Sequence, residues 1–119
     1  MKTTQEIHPY LPLTEVTYFI LISLAPGPSH GYAIMKDVRQ MSQGRVTLST
    51  GTLYGALKRL LELEWISRNG DQSKRTPGRV RKAYRLTLLG RQVLQAELQR
   101  LDTLVAAAHQ RAVNDTSRG

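Results

Sequence analysis

The chain has 119 residues and no cysteine, so its length suits a single domain, and disulfide bonds and thiolate chemistry are excluded. Lys and Arg outnumber Asp and Glu by 17 to 9, which gives a formal net charge of +8. This excess is typical of nucleic-acid-binding proteins, although a basic soluble protein or one that binds acidic membranes would show it too.

The longest apolar run, residues 18–22, is too short to span a membrane, and the polar N-terminal residues show no signal-peptide pattern. We therefore expect a cytoplasmic protein without a membrane partner.

The first part of the chain predicts an arm followed by a strongly apolar helix. Residues 1–12 are polar, contain two prolines and are expected to form a flexible N-terminal arm. Three side chains are candidates for anchoring this arm to the domain: Ile7, Tyr10 and Leu11. Thr14 is a suitable N-cap for a helix that runs to Leu24. Because that helix is apolar around most of its girth, we expect it to be buried on more than one side, with a second subunit covering part of it.

Two further helices follow in a helix-turn-helix pattern. The first is predicted to begin at Ser29 or His30 and to end at about Met41. After a turn, the next helix begins where Ser49 and Thr50 can cap its first N–H groups, and it ends near Glu64. A short connection between helices and an exposed polar start to the second one are typical of helix-turn-helix proteins.

The third helix has two sharply different faces. Apolar residues recur at helical spacing from Leu53 to Leu61 and predict a buried stripe. The opposite face carries these residues: Thr50, Gly51, Tyr54, Gly55 and Lys58. Small residues let a backbone approach a surface closely, and free N–H groups at a helix start favour a phosphate. This pattern suits a DNA recognition helix, although an ordinary capped amphipathic helix would also fit it.

A basic hairpin is predicted after the third helix. Residues 65–69 and 81–86 alternate as short strands, with Tyr84 and Leu86 on one face, and residues 70–78 read as a loop. Eight basic residues lie in and just after this hairpin, against the single acid Asp71: Arg68, Lys74, Arg75, Arg79, Arg81, Lys82, Arg85 and Arg91. Like charges at this density repel one another unless a polyanion neutralises them, so phosphate contact explains the run better than a solvated surface does.

The last predicted helix is long and carries a heptad pattern. Thr87 is its expected N-cap, and the helix is predicted to end at about Ala112. The candidate residues for a dimer interface recur in steps of four and three: Leu94, Leu98, Leu101, Val105 and Ala108. A helix this long reaches beyond its own domain, so we expect a homodimer whose two recognition helices face a palindromic DNA site.

Neither a metal site nor an active site is indicated. The chain has three histidines, far apart and without the spacing of metal ligands, so His30 is expected to cap or pack. The sequence also lacks a Gly-rich phosphate loop and a Ser-His-Asp set, and its acids are scattered. We therefore expect no cofactor, no metal and no enzymatic activity.

Several motifs in order resemble one known family. They are residues 27–34 (GPSHGYAI), 48–54 (LSTGTLY), 78–87 (GRVRKAYRLT) and 90–91 (GR). Together they resemble the PadR family of transcriptional regulators, in its short form with a single C-terminal helix, over roughly residues 18–108. Two positions depart from the family pattern: Glu64 stands where glycine is usual, and Ala83 stands where an aromatic residue is common.

The resemblance implies a winged helix-turn-helix domain, a C-terminal dimerisation helix and a dimeric bacterial repressor. It implies these recognition-helix residues: Ser49, Thr50, Gly51, Thr52, Tyr54 and Lys58. It also implies that Arg79, Arg81 and Lys82 lie on the wing, to which the charge run adds Lys74 and Arg75. Some family members respond to aromatic or drug-like compounds, and the candidate effector pocket here comprises Tyr10, Tyr18, Phe19 and Leu101. The alternative, that these four residues form only the dimer core, explains them better.

We therefore predict a mainly α fold with a small β-hairpin, organised as a winged helix-turn-helix plus a long dimerisation helix. The predicted parts are an arm over 1–12, the DNA-binding domain over 13–86, the dimerisation helix over 87–113 and a disordered tail over 114–119. The predicted function is a sequence-specific, homodimeric transcriptional repressor that binds double-stranded DNA. The alternative is a winged-helix module that binds another protein without specific DNA binding.

Overall fold

The computed structural model describes residues 7–69 and 82–111. After a 3-10 turn at His8–Tyr10, the described elements follow in this order: α1 (Glu15–Leu24), β1 (Ser29–His30), α2 (Gly31–Met41), α3 (Thr50–Glu62), β2 (Ile66–Asn69), β3 (Ala83–Leu86) and α4 (Leu88–Arg111). The helices and the two longer strands lie where the hydrophobic periodicity predicts them. The mainly α class with a winged-helix architecture and a long C-terminal helix is confirmed.

Hydroxyl side chains begin three of the helices, as predicted. The backbone N–H of Thr17 donates to Thr14 Oγ1 at 3.1 Å, and the N–H of Thr52 donates to Ser49 Oγ at 3.1 Å. At the start of α4 the N–H of Gly90 donates to Thr87 Oγ1 at 3.0 Å. Each cap satisfies an N–H group that the helix itself leaves without a partner.

The sheet has three strands where the sequence predicted two. β3 lies between β1 and β2 and is antiparallel to both, so the order is β1-β3-β2. The additional strand is Ser29–His30, and it pairs with Tyr84 and Ala83. Two residues are too few to show an alternating pattern, so only the tertiary pairing reveals this strand. Within β3 the side chains of Tyr84 and Leu86 are buried and that of Arg85 is exposed, as the alternation predicted.

One apolar core joins the helices to the sheet. The most deeply buried large side chains are Ile20, Leu21, Leu24, Ile34, Val38, Leu53, Leu57, Leu60, Ile66 and Val93. They come from α1, α2, α3, β2 and α4, so every helix contributes to the same core. Around α1, Tyr18, Phe19 and Ile22 remain partly exposed in the single chain. This is the part of α1 that we expected a second subunit to cover.

The segment just before α1 packs on the domain. Ile7 is buried, and the Tyr10 ring meets the Trp65 ring edge-to-face with centroids 5.4 Å apart. The chain is therefore held to the domain from Ile7 onward, and the predicted arm of residues 1–12 is anchored through its second half. Residues 1–6 lie outside the described residues.

α3 ends through a residue in the left-handed conformation. Glu64 has a φ of 65°, while the N–H of Trp65 donates to the carbonyl of Leu60 at 3.0 Å. Such a C-terminal turn usually employs glycine, which has no Cβ to clash with the backbone. The helix itself ends at Glu62, two residues before the predicted end. The family pattern usually has glycine at position 64, and the positive φ of Glu64 explains why glycine is favoured there.

Candidate nucleic-acid interface

The start of α3 presents the predicted recognition surface to solvent. All six predicted residues are exposed: Ser49, Thr50, Gly51, Thr52, Tyr54 and Lys58. Leu53 and Leu57, on the opposite face, are buried in the core and hold the helix in place. The surface therefore combines hydroxyls, an aromatic ring and an ammonium group at the positive end of a helix dipole.

Two glycines make this surface flat enough for close approach. A Cβ added at Gly51 or at Gly55 would have no other heavy atom within 4 Å. Nothing inside the domain therefore requires glycine at either position on grounds of space. A partner that lies close to the helix backbone would explain the absence of side chains at these two positions. Duplex DNA is such a partner when a helix enters its major groove.

The exposed face of α2 adds basic residues that the sequence reasoning did not assign to the site. Tyr32, Lys36 and Arg39 follow one another at helical spacing and are exposed, Tyr32 by 74%. With Thr47 and Leu48 they line a shallow groove of about 230 Å³ immediately before α3. In the sequence these three residues are separated by four and three positions, a spacing that places them on one face of a helix.

Only part of the predicted wing can be placed. Lys74, Arg75, Arg79 and Arg81 lie outside the described residues. Lys82 is exposed, and its carbonyl oxygen lies 3.2 Å from Nδ1 of His30, a distance at which a protonated Nδ1 donates a hydrogen bond. On the strands, Arg68 and Arg85 are exposed as well. The base of the wing is therefore basic on its solvent side.

His30 has a structural position, as predicted. It is the N-cap residue of α2, and its side chain makes no capping hydrogen bond to that helix. Its ring is directed to β3 instead, through the contact with Lys82. Among residues 7–69 and 82–111, no group of three His, Cys, Asp or Glu side chains could hold a metal ion.

The predicted dimer residues of α4 fall into two groups. Leu98 and Val105 are exposed large apolar side chains, Val105 by 53%, and Ala108 is exposed as well. Leu101 is half-buried. Leu94 is only 7% exposed and belongs to the core of its own chain. The heptad spacing could not separate the half of α4 that lies on the domain from the half that extends beyond it.

The four residues of the predicted effector pocket occupy two environments. Tyr10 lies against Trp65 and lines a cleft of about 580 Å³ with Ile7, Leu63 and Leu89. Tyr18 and Phe19 lie side by side on α1, with ring centroids 5.7 Å apart. Trp65 itself is buried at the base of the wing.

The sequence reasoning did not assign a role to Glu97. This carboxyl side chain is 2% exposed and lies on α4. It accepts the backbone N–H of Leu13 at 3.1 Å and two hydrogen bonds from Arg100 at 2.7 and 2.9 Å. The hydrogen bonds from Arg100 and Leu13 outweigh burial and lower the pKa of Glu97. The sequence does not indicate that Glu97 is buried, because it lies off the heptad positions and its hydrogen-bond partner is the backbone N–H of Leu13, 84 residues away.

Comparison with known families decides the identity of this fold. The model of the transcriptional regulator PadR-like family matches residues 20–96, which include α2, α3, the described strands and the start of α4. The chain belongs to the PadR-like family. PadR-like proteins are transcriptional regulators and not enzymes.

Solved structures of PadR proteins are similar to this chain. A PadR family transcription regulator from Clostridium difficile is 28% identical, with a TM-score of 0.69 over 82% of this chain and 97% of that one. A PadR-like transcription factor from Bacteroides fragilis is 27% identical, with a TM-score of 0.67 over 82% and 89% of the two chains. Bacillus subtilis PadR, solved in complex with operator DNA, is 25% identical, with a TM-score of 0.63 over 71% of this chain and 47% of that one.

A longer relative is found in a transposon. An uncharacterised 37.1 kDa protein in transposon TN4556 of Streptomyces fradiae is 34% identical over 96 residues. The match includes 81% of this chain and 26% of that protein, so the chain spans about a quarter of the relative's length. In the part of the chain that the structure describes, no helix is long and apolar enough to cross a membrane.

Proposed function

We propose that this PadR-like regulator binds duplex DNA in a sequence-specific manner as a homodimer and represses transcription. The observation that carries the proposal is the exposed start of α3, where polar side chains alternate with glycines that have open space in front of them. The similarity to a PadR protein crystallised with operator DNA supports DNA binding by this chain.

In this proposal α3 enters the major groove and supplies sequence specificity. Thr50, Thr52 and Lys58 carry hydrogen-bonding groups that can reach base edges, and Tyr54 adds a ring with a hydroxyl. Ser49 is the exception, because its Oγ already accepts the N–H of Thr52 as a cap. Its contribution is to hold the helix start in place.

Affinity that does not depend on sequence would come from phosphate contacts on either side of α3. The wing supplies Lys82 together with the basic residues outside the described range, and α2 supplies Lys36 and Arg39. Contacts of this kind release counterions from DNA, so binding should weaken steeply as salt rises.

Dimerisation is proposed to occur through the exposed part of α4. Residues 102–111 are exposed along every face of the helix in the single chain, although Leu104 and Val105 are apolar. A solvated helix of this length is not stable by propensity alone, whereas pairing with a second copy would bury its apolar side. A two-fold dimer would also present two recognition helices to a palindromic operator.

A small aromatic effector is proposed to act at the dimer interface. Tyr18 and Phe19 on α1 and Leu101 on α4 are half-buried in the single chain and would border the interface. A planar aromatic ligand there could stack against the two rings. Calorimetry with a panel of planar aromatic compounds tests this, and the absence of heat for the whole panel would contradict it.

The first experiment is binding of DNA from upstream of the protein's own gene, measured by fluorescence anisotropy against scrambled DNA at low and high salt. Tight binding with a strong preference over the scramble is expected, and it would also indicate self-regulation. Equal and salt-sensitive binding to both duplexes would mean that the upstream DNA is not the operator or that the protein binds DNA without sequence specificity. Selection of bound duplexes from a random-sequence library distinguishes these two cases. Absence of binding to either at low salt would favour the alternative, a winged-helix module that binds another protein.

A further inference from the structure

Gly31, the first residue of α2, is buried at a contact with the recognition helix. Its φ lies outside the left-handed region, so its backbone conformation does not demand glycine. Space does demand it. A Cβ at this position would overlap the hydroxyl oxygen of Tyr54 and would lie 2.9 Å from Tyr54 Cζ and 3.4 Å from Leu53 Cδ2. The far end of the Tyr54 ring therefore occupies the volume that any other residue at position 31 would fill.

Tyr54 nevertheless belongs to the exposed surface of α3. Its side chain is 45% exposed, so the ring is held against α2 on one side while the rest of it remains open to a partner. Its neighbours one turn away on this face include Gly51 and Lys58, which are exposed. The contact with Gly31 thus selects one orientation of an aromatic side chain in the middle of the proposed DNA-binding surface.

The position of Gly31 is set in turn by the sheet. The residues just before it form β1, in which Ser29 pairs with Tyr84 and His30 pairs with Ala83. The hydrogen bond between His30 and the Lys82 carbonyl strengthens this junction. Tyr84 is buried, and this burial, followed by the effect of Tyr54, raises the pKa of the Tyr84 hydroxyl. The wing strand β3 therefore pairs with the two residues that precede α2, and the start of α2 in turn contacts the Tyr54 ring.

We propose that Gly31 is a positioning residue for DNA recognition, whose missing side chain lets the Tyr54 ring lie against α2 and so determines which bases Tyr54 contacts. This inference rests on the proposed DNA binding. A tyrosine side chain has two main torsions and a rigid ring, so it cannot bend around a methyl group at position 31. It must rotate away from α2 and carry its hydroxyl to a different place on the surface, while the buried face of α3 stays packed.

The test compares wild-type protein with Gly31→Ala, Tyr54→Ala and the double variant, all binding the duplex that the wild type selects from a random-sequence library. Gly31→Ala should weaken binding about tenfold when Tyr54 is present, as expected for one displaced base contact, and less than about twofold in the Tyr54→Ala background. Gly27→Ala is the matched control, because a Cβ at Gly27 would meet no other atom within 4 Å, and its binding should equal that of the wild type.

The base preferences provide a readout that a purely structural role would not change. Repeated library selection with Gly31→Ala should alter preference at the same base positions that Tyr54→Ala alters, with other positions unchanged. Equal losses of affinity from Gly31→Ala in both backgrounds would overturn the proposal, because Gly31 would then act without Tyr54. Unchanged affinity and preference in Gly31→Ala would overturn it as well.

The double variant keeps the proposal testable if Gly31→Ala alone does not fold. The double variant lacks the ring that would clash, so it should fold and bind DNA within about twofold of the affinity of Tyr54→Ala. Binding weaker than this would contradict the inference. A wild-type protein that selects no sequence from the library would remove the proposed function and this inference together. A selective wild type without coupling between the two positions would remove only the inference.

Discussion

The carboxylate of Glu97 on α4 accepts the backbone N–H of Leu13 at 3.1 Å, and this hydrogen bond joins residues that are 84 positions apart. Arg100 completes the arrangement by donating to both carboxylate oxygens. The hydrogen bond from Leu13 thus joins the residues just before α1 to α4. It therefore connects the two elements on which the proposed dimer interface depends.

Glu97→Ala should destabilise the fold by about 2 kcal/mol, because it leaves the partly buried N–H of Leu13 without an acceptor and Arg100 without its carboxylate. Denaturant unfolding measures the change. The matched control is Glu15→Ala, which removes an ion pair with Arg45 whose two side chains are each 62% exposed. That substitution should change stability by no more than about 0.5 kcal/mol. Similar losses for both variants would contradict a special role for Glu97.

The lowered pKa of Glu97 predicts a dependence of stability on pH. A carboxyl group whose pKa is lower in the folded state stabilises the fold above its unfolded pKa, about 4.3 for glutamate, and loses this contribution as pH falls toward the folded value. We expect the free energy of unfolding of the wild type to fall more steeply below about pH 4.3 than that of Glu97→Gln. Parallel pH profiles for the two proteins would show that Glu97 has no such role.

Glu64→Gly should stabilise the protein by about 1 kcal/mol, since glycine adopts the left-handed conformation at this position without the Cβ clash. The control is Glu62→Gly in the last turn of α3, where the backbone is helical. Glycine there should destabilise by about 0.5–1 kcal/mol. Thermal unfolding compares the two, and a loss of stability at Glu64→Gly would indicate that the glutamate side chain makes a compensating contact.

Lys36→Ala and Arg39→Ala should each weaken binding to every DNA sequence by a similar factor. If each side chain contacts a phosphate, each substitution should also reduce the slope of log affinity against log salt by about 1. Anisotropy titrations over a range of salt concentrations measure this slope. Arg45→Ala, which removes an exposed arginine that pairs with Glu15 on α1, is the matched control and should leave both values unchanged. An unchanged slope for the α2 variants would remove this helix from the interface.

Val105→Lys should convert the proposed dimer to a monomer without unfolding the chain, because Val105 is exposed in the single chain and contributes nothing to its core. Sedimentation velocity reports the oligomeric state. Leu94→Ala provides the contrast, since that side chain is buried in the chain's own core and its loss should cost about 2–3 kcal/mol of stability. A Val105→Lys protein that still sediments as a dimer would place the interface elsewhere.

Local patterns predicted most of the architecture. Helical periodicity locates α1 to α4, hydroxyl residues mark the starts of α1, α3 and α4, and alternation identifies β2 and β3. The exposed face of α3 followed from the same periodicity, because the side of a helix opposite a leucine stripe must face outward. These features depend on residues close together in the chain, so a single sequence contains the information.

The sequence by itself determined the order of the helices and of the two longer strands, the exposed polar face of α3 and the charge of this protein, since each depends on composition or on spacing over a few residues. Only the tertiary structure decided that Ser29–His30 forms a third strand, that Leu94 belongs to the core and that Glu97 binds Leu13. It alone brought Gly31 under the Tyr54 ring. The physical reason is the same in each case: pairing, burial and close packing join residues far apart in the chain, and no local pattern records which distant partner a residue meets.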